Sequence, residues 1–252
     1  AAICIGIVAE ELLETLQSLT SVEEYISEII IIDSSPRGIA KYPFQKNYKV
    51  THIRELPPAG ISNAFNSAVA AAKSDFLVFY NGGDKCLTDG FMESINTLSK
   101  DPSCQIIASQ VILEYPYKST LWKPRRRKDK VFQIHHIGTF YRKSLHNSCG
   151  LYDPQLRCAM DYSFFRRALE YLPKENVIIH DQPSGIFQMG GASSHDKARK
   201  NLEVLSTDLL TSAGISSSLL AYLKSNLALT ARTYLKRALE CFKNNYQRKI
   251  QK

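Results

Sequence analysis

The alternation of apolar and polar positions divides the first half of the chain into strands and helices. Short, continuously apolar runs at residues 3–8, 29–32 and 76–80 predict strands that are covered on both faces. Apolar residues recur at helical spacing over residues 10–20 and 61–72, which predicts amphipathic helices. Strands and helices that alternate across short loops are typical of a mostly parallel sheet with right-handed crossovers. The pattern therefore predicts an α/β domain.

The rest of the chain continues this alternation less regularly. Further elements are expected as a strand at 48–53, a helix capped by Thr88, a strand at 104–113, a helix from about Asp161, and strands near 176–180 and 185–189. The basic stretch 122–128 predicts a mobile loop. Two final helices are expected on either side of Gly214. We expect a domain over residues 1–195 and a helical extension over residues 196–252.

Composition indicates a folded chain whose positive charge is local. The 252 residues are 44% hydrophobic, which is enough for a full core, and no run of about 18 apolar residues predicts a membrane span. The net charge is +8, of which residues 118–130 carry +6 and residues 215–252 carry +7, leaving −5 on the remainder. This distribution argues against a general nucleic-acid binder and favours localised contact with phosphate or anionic lipid.

The cysteines and the first residues favour a cytoplasmic protein. None of the six cysteines forms a Cys-x-x-Cys pair, which favours reduced thiols over a disulfide framework or a zinc site. The opening residues 1–8 lack a basic segment followed by a cleavage site, so we expect a strand there rather than a signal peptide.

The loop after the strand at 76–80 carries the first candidate chemistry. Two glycines in Asn81-Gly82-Gly83-Asp84 allow a sharp turn between two oxygen-bearing side chains. Ligands of open α/β sheets bind at the carboxyl ends of strands, and a carboxylate there can hold a hard divalent cation beside a phosphate. Asp84 is therefore a candidate ligand for Mn²⁺ or Mg²⁺. The alternative is a turn residue that caps the helix beginning near Thr88.

Three ordered segments carry a resemblance to a known family. They are Ile29–Asp33, Gly60–Leu87, and a segment that contains His136-x-Gly-Thr-Phe-Tyr-Arg and Ala159-Met160-Asp161; residues 190–193 resemble a later motif. Together they resemble the inverting glycosyltransferases of family 2, and among these the bacterial enzymes that build cell-surface polysaccharide or lipopolysaccharide. The resemblance implies the GT-A fold, an α/β architecture with a mixed, mostly parallel sheet flanked by helices, to which the sequence adds a C-terminal helical tail.

The resemblance also implies a reaction and assigns residues to it. A sugar would move from a nucleotide-diphosphate donor to a hydroxyl of a glycan or lipid-linked acceptor, with Asp161 as the general base. The implied donor-binding residues are Asp33, Gly60, Asn81, Asp84 and His136. A Mn²⁺ or Mg²⁺ ion would be held by Asp84, with His195 as a second ligand.

Each of these residues also has an ordinary structural interpretation. Asp161 could be a common helix-start aspartate, Asp33 a turn residue before Ser34-Ser35-Pro36, His195 a solvated cap, and His136 the partner in a structural hydrogen bond. Asn81 could equally supply the turn.

The chain also departs from the family's usual carboxylates. Pro58 and Asn63 stand where aspartate is usual, and residues 81–84 keep one carboxylate instead of Asp-x-Asp. The first alternative is therefore an inactive module that binds nucleotide sugars. A nucleotidyltransferase is less favoured, because residues 6–11 lack the Gly-rich, basic loop expected after the first strand, and a dinucleotide oxidoreductase lacks its Gly-x-Gly-x-x-Gly for the same reason.

Two basic segments complete the sequence-based expectations. Arg125–Arg127 could close over a diphosphate, contact anionic lipid, or form a solvated loop. Residues 215–252 combine leucines with lysines and arginines, which predicts a basic amphipathic helix at the inner face of the membrane. Its alternative is a helix packed on its own domain. No nucleic-acid partner is expected.

Overall fold

The computed structural model describes residues 1–45, 49–127, 130–190 and 196–210. The chain divides into two compact units, Ala1–Asp196 and Lys197–Lys252. Strands are β1 (Ala2–Gly6), β2 (Ile29–Asp33), β3 (Val50–Arg54), β4 (Phe76–Asn81), β5 (Lys85–Cys86), β6 (Ile106–Tyr115), β7 (Lys118–Trp122), β8 (Arg125–Arg127), β9 (Lys130–Gln133), β10 (Thr139–Arg142) and β11 (Val177–Gln188). Helices are α1 (Ala9–Ser18), α2 (Ile61–Ala71), α3 (Thr88–Lys100), α4 (Leu145–Cys149), α5 (Met160–Tyr171) and α6 (Lys197–Leu210).

The first unit is built on one mixed sheet. Within the described residues its order is β3-β2-β1-β4-β10-β6-β11-β5, with β7 added beside β6. Strands β3, β2, β1 and β4 are parallel, and β11 is parallel to β6. Strands β10, β7 and β5 run antiparallel to their neighbours, and β8 and β9 form a separate antiparallel ribbon. The predicted α/β architecture is confirmed.

Strand β4 is covered on both faces, as its continuously apolar sequence predicted. Leu77 and Phe79 belong to one buried cluster, in which Phe79 stacks on Phe65 of α2 with ring centroids 4.3 Å apart. Val78 and Tyr80 belong to the opposite cluster, which also contains the buried faces of α1 and α3. Side chains alternate across a strand, so a strand between two helical layers must be apolar at every position.

The parallel strands end together at one edge of the sheet. Asp33 is in register with Gly6 on one side and with Arg54 on the other, and Asn81 is in register with Ile5. The apolar runs stop at this edge, and polar side chains replace them. Because parallel strands all point the same way, residues far apart in sequence meet here.

Two sequence expectations about strands and loops were wrong in detail. The basic stretch 122–128 was expected to be a loop, yet β7 pairs with β6 and β8 with β9, and Trp122 packs edge-on against His135. The two strands expected near 176–180 and 185–189 are one strand, β11, with shifts of register at Pro183. Charge and local turn signals do not reveal a pairing partner, which decides whether a segment becomes a strand.

Thr88 does not cap α3 as predicted. The N-cap is Leu87, and the Thr88 hydroxyl instead forms a hydrogen bond with the hydroxyl of Ser21 at 2.8 Å. Some expectations lie outside the described residues: the metal ligand His195, the helix break at Gly214 and the basic helix over residues 215–252. Among the residues that the structure describes, no helix has the length and apolar character needed to cross a bilayer.

Candidate active site

Asp84 lies in a tight turn at the end of β4, and its carboxylate points inward. The side chain is 1% exposed. The backbone N–H of Asn81 donates to Oδ2 at 2.7 Å, and that of Gln188 donates to Oδ1 at 3.1 Å. Gly83 adopts φ +90°, the left-handed conformation that lets the turn close. The alternative role as a cap of α3 is therefore not the one found, because Asp84 bonds to the turn and to β11.

The electrostatics of Asp84 are those of a buried carboxylate without a full counter-charge. Burial raises the pKa of this carboxyl to about 7, against the opposing effects of His136 and of the two backbone hydrogen bonds. Each oxygen accepts one hydrogen bond and has a further lone pair. A cation placed beside Asp84 would supply the missing charge, so the residue fits a metal ligand.

Asn81 and His136 connect the turn to the middle of the molecule. The side-chain N–H of Asn81 donates to Nε2 of His136 at 3.0 Å. Oδ1 of Asn81 is buried and has no hydrogen-bond partner in the part of the chain that the structure describes. An unpaired amide oxygen three residues before Asp84 is a second hard oxygen of the kind that Mn²⁺ and Mg²⁺ accept. Both predicted donor-side residues are therefore brought together with Asp84.

Asp161 lies in the first turn of α5 and bonds directly to His136. Nδ1 of His136 is 2.9 Å from Oδ2 of Asp161, and the backbone N–H of Tyr162 donates to Oδ1 at 2.8 Å. Burial opposes ionisation of Asp161, but the hydrogen bond and the charge of His136 lower its pKa to about 2. Burial likewise opposes protonation of His136, whose pKa is nevertheless raised by Asp161 and, at longer range, by Asp84. Asp161 is thus ionised at neutral pH.

Asp33 occupies a separate, fully buried position at the end of β2. Oδ1 accepts the backbone N–H and the hydroxyl of Ser35 at 2.9 and 2.6 Å. Oδ2 accepts the backbone N–H of Ile39 at 3.0 Å, His52 at 3.1 Å and Arg54 at 2.7 Å. Burial by itself would raise the pKa of Asp33, but the Ser35, Arg54 and Ile39 hydrogen bonds lower it to about 2. The carboxylate orders the surrounding loop, and it is Arg54 that reaches partial exposure.

Gly60 is not part of either network. It precedes α2 as its N-cap with φ +96°, and it is exposed. An added Cβ would meet nothing within 4 Å, so the described residues use Gly60 for its backbone conformation alone.

Sequence reasoning missed several residues of this region. Arg54 ends β3 beside Asp33, and the rule that strand ends meet at one edge could have found it. Glu55 follows it, and its Oε2 is buried without a partner among the described residues. Phe187 packs edge-on against His136, and Gln188 supplies a backbone donor to Asp84. No local signal identifies these last two, since their role depends on β11 returning past the turn.

The arrangement joins a carboxylate suited to a cation with a second carboxylate suited to accepting a proton. Asp84, Asn81, His136 and Asp161 form one continuous chain of hydrogen bonds along the carboxyl edge of β4. Asp161 has 23% of its side chain exposed, whereas Asp84 is deeply buried. Group transfer from a phosphate ester needs both functions within one site.

The chain matches one family profile over most of its length. The sequence profile described as glycosyl transferase family 2 matches residues 3–183. No curated protein matches the chain.

Solved structures with a similar fold include S. aureus TarS, residues 1–349, in complex with UDP. The TM-score is 0.59 at 12% identity, covering 86% of this chain and 68% of that one. The same TarS fragment with UDP-GlcNAc gives a TM-score of 0.60 at 11% identity, covering 86% and 68%.

The mannosyltransferase PcManGT from Pyrobaculum calidifontis, in complex with GDP-Man and Mn²⁺, gives a TM-score of 0.57 at 14% identity. The match covers 82% of this chain and 62% of the PcManGT chain. Another structure of S. aureus TarS is matched over 41% of its chain. These similarities show the fold, and the GT-A prediction is confirmed.

Proposed function

Because the chain belongs to glycosyl transferase family 2, we propose that it transfers a sugar from a nucleotide-diphosphate donor to a hydroxyl group of a glycan or glycolipid. The observation that carries the proposal is the hydrogen-bonded chain from Asp84 through Asn81 and His136 to Asp161. It lies within the matched residues and at the sheet edge where α/β proteins bind ligands.

Asp161 is the general base of the proposed reaction. Its carboxylate is ionised at neutral pH and partly exposed, so it can accept the proton of an attacking hydroxyl. Attack from the side of Asp161 while the diphosphate leaves on the side of Asp84 would invert the configuration of the sugar. The resemblance to inverting enzymes of the family supports this stereochemical outcome.

A divalent cation, Mn²⁺ or Mg²⁺, is proposed at Asp84. The raised pKa of this buried carboxyl and the unpaired oxygen of Asn81 support it. In the described residues no group of three or more His, Cys, Asp or Glu side chains could hold a metal, so donor phosphates and water would complete the coordination. The ion would neutralise the leaving diphosphate. His195 remains a proposed second ligand.

The donor nucleotide is proposed to bind along the ends of β1, β2 and β3. Asp33 would act there through the loop that it orders and through Arg54, because its own oxygens are occupied by protein donors. Gly60 would let the backbone approach the donor before α2. The bound donors of the structural neighbours, UDP-GlcNAc and GDP-Man, support a nucleotide sugar as the ligand class.

The proposed setting is the synthesis of cell-surface polysaccharide or lipopolysaccharide on the cytoplasmic side of the membrane. The resemblance to bacterial enzymes of this kind supports it. The basic residues 215–252, which lie outside the described residues, would provide a contact with the membrane surface and bring the enzyme to a lipid-linked acceptor.

The test is a binding and turnover screen with UDP-, GDP- and dTDP-sugars, with and without Mn²⁺. The expected result is a rise in melting temperature with one nucleotide class, larger when Mn²⁺ is present, together with slow release of the nucleotide diphosphate. Asp84→Asn should remove the metal-dependent part of the rise. Binding without any turnover would identify an inactive binding module, and no binding to any donor would reject the proposal.

A further inference from the structure

His136 lies between the turn Asn81–Asp84, called the donor turn below because it is proposed to hold the sugar donor, and Asp161, the proposed base. Its Nδ1 is 2.9 Å from Oδ2 of Asp161, and its Nε2 is 3.0 Å from the side-chain nitrogen of Asn81. The residue is 8% exposed. Asn81 ends β4 and Asp161 lies in the first turn of α5, so His136 joins two elements that have no covalent connection near this point.

The partners of His136 define which nitrogen carries the proton. The Asn81 amide nitrogen can only donate and the Asp161 carboxylate can only accept, so in the neutral ring Nε2 accepts and Nδ1 carries the hydrogen that is donated to Asp161. Both ring nitrogens are therefore engaged by protein groups. A ring with no nitrogen left for a ligand acts on the reaction through its neighbours rather than by touching the substrate.

Packing holds the imidazole ring in place from several sides. His135 stacks on it with centroids 4.9 Å apart, and Phe65 and Phe187 contact it edge-on at 6.0 and 5.9 Å. Phe65 belongs to α2 and Phe187 to β11. A side chain fixed by aromatic contacts and by two hydrogen bonds is well placed to fix its partners in turn.

We propose that His136 is a positioning residue that sets the Asp161 carboxylate relative to the donor turn Asn81–Asp84; this role rests on the proposed function. The base and the donor turn must act on opposite sides of the same sugar carbon. Asp161 bonds through Oδ2 to His136 and through Oδ1 to Tyr162, which leaves lone pairs on both oxygens for the acceptor hydroxyl.

The rate of transfer depends strongly on this alignment. A misplacement of about 1 Å between reacting groups can lower a rate by about 10²-fold. Loss of His136 should therefore lower kcat. The KM of the donor should change little, because both ring nitrogens of His136 are bonded to protein groups.

Two conservative variants separate the two hydrogen bonds. In His136→Asn the shorter amide lies near the position of Nδ1 and can still donate to Asp161. In His136→Gln the longer amide reaches the position of Nε2 and can keep the bond to Asn81. If His136 acts by positioning Asp161, His136→Asn should retain most of kcat, whereas His136→Gln and His136→Ala should lose about 10²-fold.

The kinetic measurement uses the donor identified by the nucleotide-sugar screen, with water as the acceptor. The expected kcat is close to that of the wild type for His136→Asn and about 10²-fold lower for His136→Gln and His136→Ala. The donor KM should stay within a few-fold of the wild-type value in all three variants. A wild-type kcat in all three variants would overturn the proposal, and so would an equal fall in kcat in all three. A rise in donor KM with kcat unchanged would also overturn it, because His136 would then be a donor-binding residue. Calorimetry with UDP and GDP, together with circular dichroism, confirms that each variant is folded and binds nucleotide.

A spectroscopic measurement tests the geometry without turnover. Imidazole ¹⁵N spectra of the wild-type protein should place the ring proton on Nδ1, and Asp161→Asn should change that resonance. A neutral ring whose single proton lies on Nε2 would overturn the proposed link. Absence of any turnover by the wild type would reject the proposed function itself, whereas wild-type turnover that the His136 variants retain would reject only the positioning role.

Discussion

Asp33 and Asp161 are both ionised carboxylates, but their surroundings give them different tasks. All described partners of Asp33 are protein donors, and the side chain is fully buried. Asp161 has two protein donors and remains partly exposed. A carboxylate with spare lone pairs and access to solvent can accept a substrate proton, whereas a saturated one stabilises the fold.

Asp161→Asn is expected to lower transfer by about 10²–10⁴-fold, because an amide cannot accept the acceptor proton. Nucleotide binding, measured by calorimetry, should be unchanged. Asp89→Asn is the matched control, since Asp89 lies in the first turn of α3 as Asp161 does in α5, but is exposed and outside the site. Equal losses in both variants would contradict the assignment of the base.

Asp33→Asn is expected to reduce stability in a pH-dependent way. The folded pKa of Asp33, about 2, lies below the ordinary value, so its stabilising effect is present above about pH 4 and is lost as the pH falls towards 2. The loss at pH 7 should be about 1–2 kcal/mol, because the partly exposed Arg54 is screened by solvent. Urea unfolding at pH 7, 4 and 3 measures it.

Asp101 offers a matched control for the local turn around Asp33. It accepts the same two hydrogen bonds from Ser103, at 2.9 and 2.6 Å, that Asp33 accepts from Ser35. Asp101→Asn removes this turn without affecting Arg54 or His52. A loss of stability as large as that of Asp33→Asn would show that the buried network adds nothing.

At the scale of elements, helix α3 and strand β11 together place the donor turn. β11 pairs with β5 and supplies the backbone donor to Asp84, and α3 packs against β11 through the buried Gly90. A Cβ at Gly90 would collide with the carbonyl oxygen of Pro183. The close approach of helix and strand therefore depends on a residue without a side chain.

Gly90→Ala tests this close approach, because its expected effect on the free energy of unfolding is opposite to the usual effect of this substitution in a helix. Alanine ordinarily stabilises a helix interior by about 1 kcal/mol relative to glycine. Here the variant should be less stable by about 1–3 kcal/mol, because helix and strand must separate. Asn96→Ala on the exposed side of α3 is the control and should be neutral or slightly stabilising. Urea unfolding of both variants measures this, and a Gly90→Ala protein more stable than the wild type would contradict the packing.

On the scale of the whole molecule, the positive charge is concentrated in two segments and the remainder is acidic. Residues 118–130 and 215–252 carry +6 and +7, against a net charge of +8. Arg125 is exposed on the ribbon of β8 and β9, so part of this charge is available to an anionic surface. Such a distribution orients a protein at a charged membrane more than it affects folding.

Binding to anionic vesicles tests the proposed membrane contact. The full chain should sediment with vesicles containing phosphatidylglycerol and release as salt is raised, because attraction to anionic lipid falls off within a Debye length. A chain ending at Leu210 should bind at least about 10-fold more weakly, since each basic residue near the surface contributes about 1 kcal/mol. Neutral vesicles are the control. Equal binding by the shortened chain would assign the contact to another segment.

The sequence by itself determined the elements whose signal is local. Continuous apolar runs identified β1, β2 and β4, helical spacing identified α2, and the order of the polar segments identified the family. The sequence also brought four site candidates forward. Asn81 and Asp84 follow from the rule that ligands bind at the carboxyl ends of parallel strands, and His136 and Asp161 follow from the resemblance to the family.

Only the tertiary structure decided how these candidates are connected. The bonds of His136 span 55 residues to Asn81 and 25 residues to Asp161, and they exist because β10 inserts antiparallel beside β4. The same is true of Asp33, whose saturation by His52 and Arg54 depends on β3 lying next to β2. Hydrophobic periodicity records which face of an element is buried; it does not record which element will cover it, and that pairing sets the hydrogen bonds of the site.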